Sequence, residues 1–325
     1  MSTPGPRNKT SGDAVDTYGV ARCVQLYDAA SAPVAPAVAA LLDSFEQAFL
    51  NSADLSVGKA EDEAPTKEES QFLDIGCGSG SFTRKHLLPR LPSWCKRLVA
   101  VDNSEAMLKF AAENRGYPRI EYRKLDILAD EDVTRFVQVE GHFQRVYSFL
   151  AFHWIAEHRR ALTNVETLLA PGGECFLIFS DCLVVFDVFT AMMESPRWEK
   201  YSDILLRVLP ETRSLEDIDS LRLYLVNLVR ATNLAPLACE VFRVTGELGL
   251  SKENALDFYT ILNPVYQLLI EDEKAELRKF TEDILQDVSK RRSGRPVKAH
   301  NLLVIHAQKP RTQTSASQAA RAGSK

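Results

Sequence analysis

Short apolar runs alternate with amphipathic stretches along residues 71–180. The apolar runs are predicted to be strands, and the amphipathic stretches between them have the spacing of helices. The predicted strands end at "FLDIG" and cover 97–102, 119–127, the start of 145–154, and 174–180. Strands and helices in this alternation favour right-handed βαβ crossovers. We therefore predict an α/β fold in which a parallel sheet carries helices on both faces.

The pattern changes after the last of these strands, where helical stretches predominate. Ser214 and Asp217 have the spacing of a capping box at the start of the helical stretch 214–232. Strand-like residues return at 237–246, and a stronger strand pattern follows at 299–309. No internal repeat is visible. The later part of the chain is therefore predicted to add helices and two further strands.

The domain organisation follows from where the polar stretches fall. Residues 1–13 and 310–325 are polar and rich in small side chains, and we expect disordered tails there. The acidic stretch 51–70 is predicted to be a solvated loop. We expect one domain over 14–309, with a mostly helical region at 183–290.

Composition narrows the classes of function. The chain has 325 residues, 45% of them hydrophobic, and a net charge of −5, which disfavours a nucleic-acid partner. Its six cysteines form no CxxC pair, so we expect free thiols in a reducing compartment and no metal site. No signal peptide, membrane span or lipid anchor is recognisable. The expected location is the cytoplasm, and the expected state is a monomer or homodimer.

The segment "QFLDIGCGSGSF" (71–82) places three glycines directly after the first predicted strand. Its spacing is D-x-G-x-G-x-G, formed by Asp74, Gly76, Gly78 and Gly80. In open parallel sheets, ligands bind outside the carboxyl ends of the strands, and glycines let the backbone turn tightly and approach a ligand. Dinucleotide enzymes have G-x-G-x-x-G, which this turn does not match. A purely structural turn would also explain the glycines.

Acidic side chains at successive strand ends change this picture. Asp102 ends the second strand and can accept hydrogen bonds from both hydroxyls of a ribose. Asp126, at the end of the third, can receive an adenine amino group, with Ile127 flanking the ring. Asp74 suits a cation such as an α-amino group and would repel a pyrophosphate. Each could be a cap or turn residue, but together they favour S-adenosylmethionine over NAD.

Four motifs match the order and spacing of a known family. They are "LDIGCGSG", "VAVDNSEAML", "KLDI" and "APGGECFLIF", and they make residues 71–180 resemble class I, seven-stranded S-adenosylmethionine-dependent methyltransferases. The resemblance implies a doubly wound, Rossmann-like sheet into which a reversed last strand, here "HNLLVIHAQK", inserts. It implies S-adenosyl-L-methionine as cofactor. The implied cofactor contacts are Asp74, Gly76, Cys77, Gly78, Gly80, Asp102, Asn103, Met107, Asp126, Ile127 and Phe149.

The segment "SFLAFHWIAEHRRALTNVETLLAPGG" (148–173) is similar to arthropod juvenile hormone acid O-methyltransferases. In that family, a Trp in a His-Trp pair and a Gln near the N-terminus hold the substrate carboxylate. These roles carry over to Trp154 and Gln25, and Tyr18 matches the family's Tyr-to-Gln spacing as a further substrate contact. The implied product is the methyl ester of a lipophilic acid, isoprenoid or fatty, such as farnesoic or juvenile hormone acid.

The reaction sets simple demands on these side chains. A carboxylic acid with a pKa of about 4–5 is already ionised at pH 7, so no general base is required. The protein must align the oxygen, the methyl group and the sulfur. The neutral donors of Gln25 and Trp154 can do this and leave charge on the attacking oxygen. His153 is an alternative base for a hydroxyl or amine acceptor, or a structural histidine.

The later helices are expected to supply a pocket for the lipophilic chain. Met and aromatic side chains accommodate flexible chains, although a helix core has the same composition. The candidates are Phe186, Phe189, Met192, Met193, Trp198 and Tyr224. Two alternatives stay open, namely a different small-molecule acceptor and a catalytically silent module that binds the cofactor and a protein partner. Loss of the glycine turn or of Asp102 would favour the silent module, and both are present.

Overall fold

Seven strands form a single sheet in the order β3-β2-β1-β4-β5-β7-β6. The structure is a computed structural model that describes Asp16 and residues 21–49, 71–215, 217–245, 250–292 and 299–311. The strands are β1 (Gln71–Ile75), β2 (Arg97–Asp102), β3 (Ile120–Lys124), β4 (Phe143–Phe149), β5 (Leu169–Ser180), β6 (Ala235–Thr245) and β7 (Ala299–Gln308). The predicted tail 1–13, most of the tail 310–325 and the loop 51–70 lie outside the described residues.

The direction of the strands confirms the predicted fold class. Strands β1 to β5 pair in parallel, whereas β7 is antiparallel to both β5 and β6. The chain moves outward from β1 to β3 and then returns to β4 on the other side of β1. The order of the strands therefore reverses between β1 and β4, and their carboxyl ends mark the place where a ligand is expected to bind.

Helices cover both faces of this sheet. They are α1 (Ala21–Ser31), α2 (Ala35–Ser44), α3 (Glu105–Arg115), α4 (Asp130–Glu140), α5 (His158–Leu168), α6 (Val184–Glu194), α7 (Ser202–Leu206), α8 (Ile218–Arg230), α9 (Lys252–Ile261) and α10 (Glu271–Arg292). Side chains alternate across β1, because Leu73 packs in the layer under α4, α5 and α8, while Phe72 packs in the layer under α2. Both layers are apolar, as expected for strands buried on two sides.

Two of the predicted helix caps can be compared with the structure. Ser104 caps α3, because its hydroxyl accepts a hydrogen bond from the Met107 N–H at 3.2 Å. The predicted cap at Ser214 is wrong. Asp217 is the N-cap of α8 and accepts from the Ser220 N–H at 2.7 Å, while Ser214 ends a separate 3-10 turn.

The remaining helices form two apolar clusters of their own. One cluster contains residues of α6, α7 and α10. The other contains residues of the two helices α1 and α9. Trp154 borders both of them, five residues after the carboxyl end of β4. We call the first of them, the cluster of α6, α7 and α10, the lid cluster. Within the described part of the chain, the helices are all too short or too polar to cross a membrane.

Candidate active site

The glycine turn after β1 has a backbone that only glycine adopts readily. Gly76, Gly78 and Gly80 have φ angles of +69°, +54° and +72°. A Cβ on Gly76 would lie 2.3 Å from the Cβ of Ala151, and one on Gly80 would lie 2.5 Å from the hydroxyl oxygen of Tyr122. These two glycines are therefore required by packing. A Cβ on Gly78 would meet only the Tyr27 ring, at 3.4 Å, so at this position the positive φ and not packing favours glycine.

Gly76→Ala is expected to lower the free energy of unfolding by about 2–4 kcal/mol, from a left-handed backbone and an overpacked contact. Urea unfolding measures this change. Gly116→Ala is the matched control, because Gly116 is exposed and its φ is −55°. Equal stability losses in the two variants would contradict the packing argument.

Asp74 lies buried beneath the turn. Its Oδ2 accepts a hydrogen bond from the Thr83 hydroxyl at 2.6 Å, which ties β1 to the helical turn that follows the glycines. Burial raises the pKa of this carboxyl to about 7. The side chain thus already has a partner within the turn, and its predicted contact with the α-amino group of the cofactor stays a prediction.

Asp102 connects the ends of two strands. Its Oδ2 accepts from the Gly78 N–H and its Oδ1 from the Ser104 N–H, both at 2.9 Å. Burial raises the pKa of Asp102 to about 6. Each oxygen of the carboxylate keeps acceptor capacity after these bonds, so it can still take a ribose hydroxyl. Next to it, Asn103 is exposed and Met107 is buried.

The end of β3 holds the next predicted contacts. Asp126 Oδ1 accepts from the Leu128 N–H at 2.9 Å. Ile127 is buried in the apolar layer of the sheet, and its carbonyl accepts from the Asn164 amide at 2.8 Å. Asp126 therefore has remaining acceptor capacity, whereas Ile127 contributes to the core. Their predicted contacts with adenine stay predictions.

Cys77 lies in the glycine turn after β1, and Phe149 lies at the carboxyl end of β4, next to that turn. Both are buried, and burial raises the pKa of the Cys77 thiol well above its usual value. The Phe149 ring lies 4.5 Å from the Phe82 ring, measured between centroids. The glycine turn therefore packs on apolar side chains.

Leu150 stands at the end of β4 in a strained conformation. It is the one non-glycine with a positive φ, +58°, among the described residues. Its N–H donates to the Ile178 carbonyl at 2.7 Å, which holds the backbone in place. Such strain concentrates at functional sites. Here it redirects the chain into the short helical turn Phe152–Trp154.

His153 is buried and tied to the neighbouring strand. The Ser180 N–H donates to His153 Nδ1 at 3.3 Å. The ring lies 5.4 Å from the Trp154 ring, nearly edge to face. This geometry fits a histidine that supports Trp154, and the alternative role of His153 as a base stays a prediction.

Trp154 has a polar atom that the described residues leave without a partner. Its indole Nε1 is buried and makes no hydrogen bond to them. A buried, unpaired N–H is unfavourable by about 1–3 kcal/mol, so such a group suits a ligand that can accept its hydrogen. The ring itself packs edge to face on Phe186, at 5.5 Å between centroids.

The predicted pocket residues fall into two places. Phe186, Phe189, Met192, Met193 and Trp198 all belong to the lid cluster, where Met193 is half-buried and the others are buried. The structure separates Tyr224 from them, because α8 packs on β6 and on the sheet. The hydroxyl of Tyr224 lies 2.9 Å from His158 Nδ1.

Of the two predicted N-terminal contacts, Tyr18 lies outside the described residues. Gln25 is exposed on α1, whose Cys23 and Leu26 are buried against α9. The structure therefore does not pair Gln25 with Trp154, and the role of Gln25 stays a prediction.

Sequence reasoning missed a second set of residues on α1. The Tyr27 ring covers Gly78, and Asp28 accepts a hydrogen bond from the Ser79 hydroxyl at 2.7 Å. A cavity of about 100 Å³ remains at the turn, partly lined by Tyr27, Phe149 and Leu150. The sequence holds no signal for these contacts beyond the position of Ser79 inside the glycine turn.

Comparison with known proteins defines the class. Residues 73–177, from β1 into β5, match the family model of the methyltransferase domain. The fold resembles the crystal structure of an S-adenosylmethionine-dependent methyltransferase from Anabaena variabilis, with a TM-score of 0.51, 16% identity, and coverage of 95% of this chain and 100% of that chain. Residues 73–177 therefore form a methyltransferase domain, and the fold around them is that of class I, S-adenosylmethionine-dependent methyltransferases.

Within this class, the chain resembles juvenile hormone acid O-methyltransferases. It is 29% identical to the one from Bombyx mori over 204 residues, which is 62% of this chain and 72% of the relative. It is 32% identical to the one from Drosophila melanogaster over 135 residues, which is 41% of this chain and 44% of the relative.

The residues at the carboxyl edge fit S-adenosylmethionine as the cofactor. Asp102 keeps acceptor capacity for the ribose hydroxyls, and its bond from the Gly78 N–H holds the glycine turn beside it. Within the described ranges, no group of three or more His, Cys, Asp or Glu side chains is arranged to hold a metal ion.

Proposed function

We propose that this methyltransferase acts on the carboxylate of a lipophilic acid, isoprenoid or fatty, and releases the methyl ester. The observation that carries the proposal is the buried Nε1 of Trp154, which has no hydrogen-bond partner among the described residues. This N–H lies where the loop after β4 meets the lid cluster, so an acceptor bound there has apolar neighbours. A lipophilic acid fits this place, because its carboxylate can accept the hydrogen of the Trp154 N–H and its chain can contact the apolar neighbours.

The role of Trp154 in the reaction is alignment. S-adenosylmethionine supplies a methyl group on a positively charged sulfur. The indole N–H donates to one oxygen of the substrate carboxylate, and the other oxygen stays free to attack. A neutral donor leaves more charge on the attacking oxygen than an arginine or lysine would. His153 keeps the indole in position through its ring contact and its bond to Ser180.

The apolar character of the lid supports a lipophilic substrate. Phe186, Phe189 and Met192 belong to one helix, and Phe186 touches Trp154 directly. Apolar walls around the carboxylate exclude water from it, which strengthens the hydrogen bond from Trp154. The similarity to juvenile hormone acid O-methyltransferases supports the same substrate class, with farnesoic acid and juvenile hormone acid as specific candidates.

The test incubates the purified protein with S-adenosylmethionine and a panel of acids, and measures methyl esters by mass spectrometry. The panel contains farnesoic acid, juvenile hormone acid, saturated fatty acids of increasing chain length, and small polar acids. We expect esters of the lipophilic acids, with turnover that falls as the chain is shortened.

Esters of the small polar acids alone would overturn the proposed substrate class. If the protein binds S-adenosylhomocysteine but methylates no acid, the acceptor is of another kind. If hydroxyl and amine acceptors also fail, the alternative of a silent cofactor-binding module is favoured.

A further inference from the structure

Asp28 joins three elements around the cofactor turn. It lies on α1, its Oδ1 accepts from the Ser79 hydroxyl at 2.7 Å, and its Oδ2 accepts from Arg115 Nη2 at 3.0 Å. Ser79 belongs to the glycine turn, and Arg115 is the last residue of α3. The side chains of Asp28 and Arg115 are only 21% and 22% exposed. One carboxylate thus fixes α1 to the turn and to the helix that follows β2.

Helix α1 covers the place where the cofactor is expected to bind. The Tyr27 ring lies over Gly78, and the space left at the turn is about 100 Å³. Small-molecule pockets have volumes of about 300 Å³ or more. A cavity of this volume is too small for S-adenosylmethionine, so α1 closes this part of the turn.

We propose that α1 is a cover over the cofactor site and that Asp28 is the positioning residue that holds the cover closed. Charge-assisted hydrogen bonds to arginine are among the stronger ones in proteins, and the bond to Ser79 attaches the same carboxylate to the turn itself. Loss of the Asp28 charge leaves the partly buried Arg115 guanidinium without its acidic partner. Without this contact, α1 opens more often and the bound cofactor leaves sooner.

The experiment measures the binding kinetics of S-adenosylhomocysteine by stopped-flow tryptophan fluorescence. Of the three tryptophans, Trp154 is the one that borders the cluster of α1 and α9, so we expect a change in emission that depends on the cover to come from it. We expect Asp28→Asn to raise the dissociation rate constant about tenfold, because a neutral amide replaces the carboxylate that accepts the charge-assisted bond from Arg115. Asp28→Glu keeps the carboxylate and should recover part of the difference.

Asp43→Asn is the matched control. Asp43 lies on α2 and accepts from Arg90 Nη2 at 2.9 Å, but it touches neither the turn nor α1. We expect wild-type rate constants for this variant. Wild-type rate constants in a folded Asp28→Asn protein would overturn the proposal.

A second measurement covers the case in which Asp28→Asn does not fold. Hydrogen exchange of the α1 amides should slow when S-adenosylhomocysteine binds to the wild-type protein, and it should be faster in Arg115→Gln than in wild type. Unchanged exchange in both comparisons would overturn the proposal. Neither measurement contains an acceptor acid, so a wrong substrate class leaves the expected results unaltered.

Discussion

Replacing Asp102 by alanine is expected to weaken S-adenosylmethionine binding by about a hundredfold or more. The carboxylate is predicted to accept two ribose hydroxyls, and hydrogen bonds to charged groups contribute about 1.5–3 kcal/mol each. The substitution also removes the acceptor that joins the N–H groups of Gly78 and Ser104. Calorimetric titration with S-adenosylmethionine and S-adenosylhomocysteine measures the change.

The control for Asp102→Ala is Asp132→Ala, because Asp132 is an exposed carboxylate on α4 that pairs with Arg135. Its binding constant should match that of the wild type. An unchanged constant in Asp102→Ala would move the cofactor away from the end of β2.

The pH dependence gives the Asp102 experiment a second readout. Burial raises the pKa of Asp102 to about 6, so in the free protein this carboxyl is largely protonated below that pH. Ribose hydroxyls donate best to the ionised form. The part of the affinity that depends on Asp102 should therefore rise as the pH increases through about 6 and then level off. Asp102→Asn should lack this part of the rise.

The second large effect is expected at Trp154. Trp154→Phe keeps an aromatic ring against Phe186 but removes the indole N–H, which is the one group that the proposal requires. Ester formation should fall more than tenfold, because the substrate carboxylate loses its donor. Cofactor affinity should stay within about twofold, since Asp102 and the glycine turn are unaltered. Steady-state kinetics and calorimetry on the same preparation separate the two effects.

The matched control for Trp154→Phe is Trp94→Phe. Trp94 is a half-buried tryptophan that packs on Phe72, at 5.0 Å between ring centroids, in the layer under α2. Its replacement should leave ester formation close to the wild-type rate. Gln25→Ala separately tests the partner of Trp154 that the sequence predicts, although its side chain is exposed on α1. If both Trp154→Phe and Gln25→Ala form esters at the wild-type rate, the carboxylate is held by other groups.

The local sequence was sufficient to predict those parts of the candidate site that lie within a single turn of the chain. The glycine spacing and Asp102 could be predicted, because a tight turn after a buried strand leaves few alternatives to glycine. The cap of α8 shows the limit of local rules, since Ser214 and Asp217 can both cap. In the structure Asp217 caps α8, while the fully buried Thr212 donates to the Asp181 carbonyl at 2.8 Å in the separate turn before it.

Contacts between distant segments could not be predicted in this way. Asp28 and Ser79 are 51 residues apart, and an amphipathic pattern on α1 indicates which face is buried but not what covers it. The same limit applies to Tyr224. Its position on a helix made it a candidate for the lid, but α8 packs on the sheet instead. The strand order, by contrast, was available only through the family resemblance, since the strand pattern alone does not say where β7 inserts.

The position of β7 has a consequence for how the chain is made. Because β7 lies between β5 and β6, both of those strands present unpaired backbone edges until residues 299–308 have been synthesised. Exposed strand edges attract other chains, so the nascent protein is prone to aggregate during this interval. We therefore expect a chain that ends before β7 to keep five paired strands with an open edge on β5, and to aggregate more readily than the full chain.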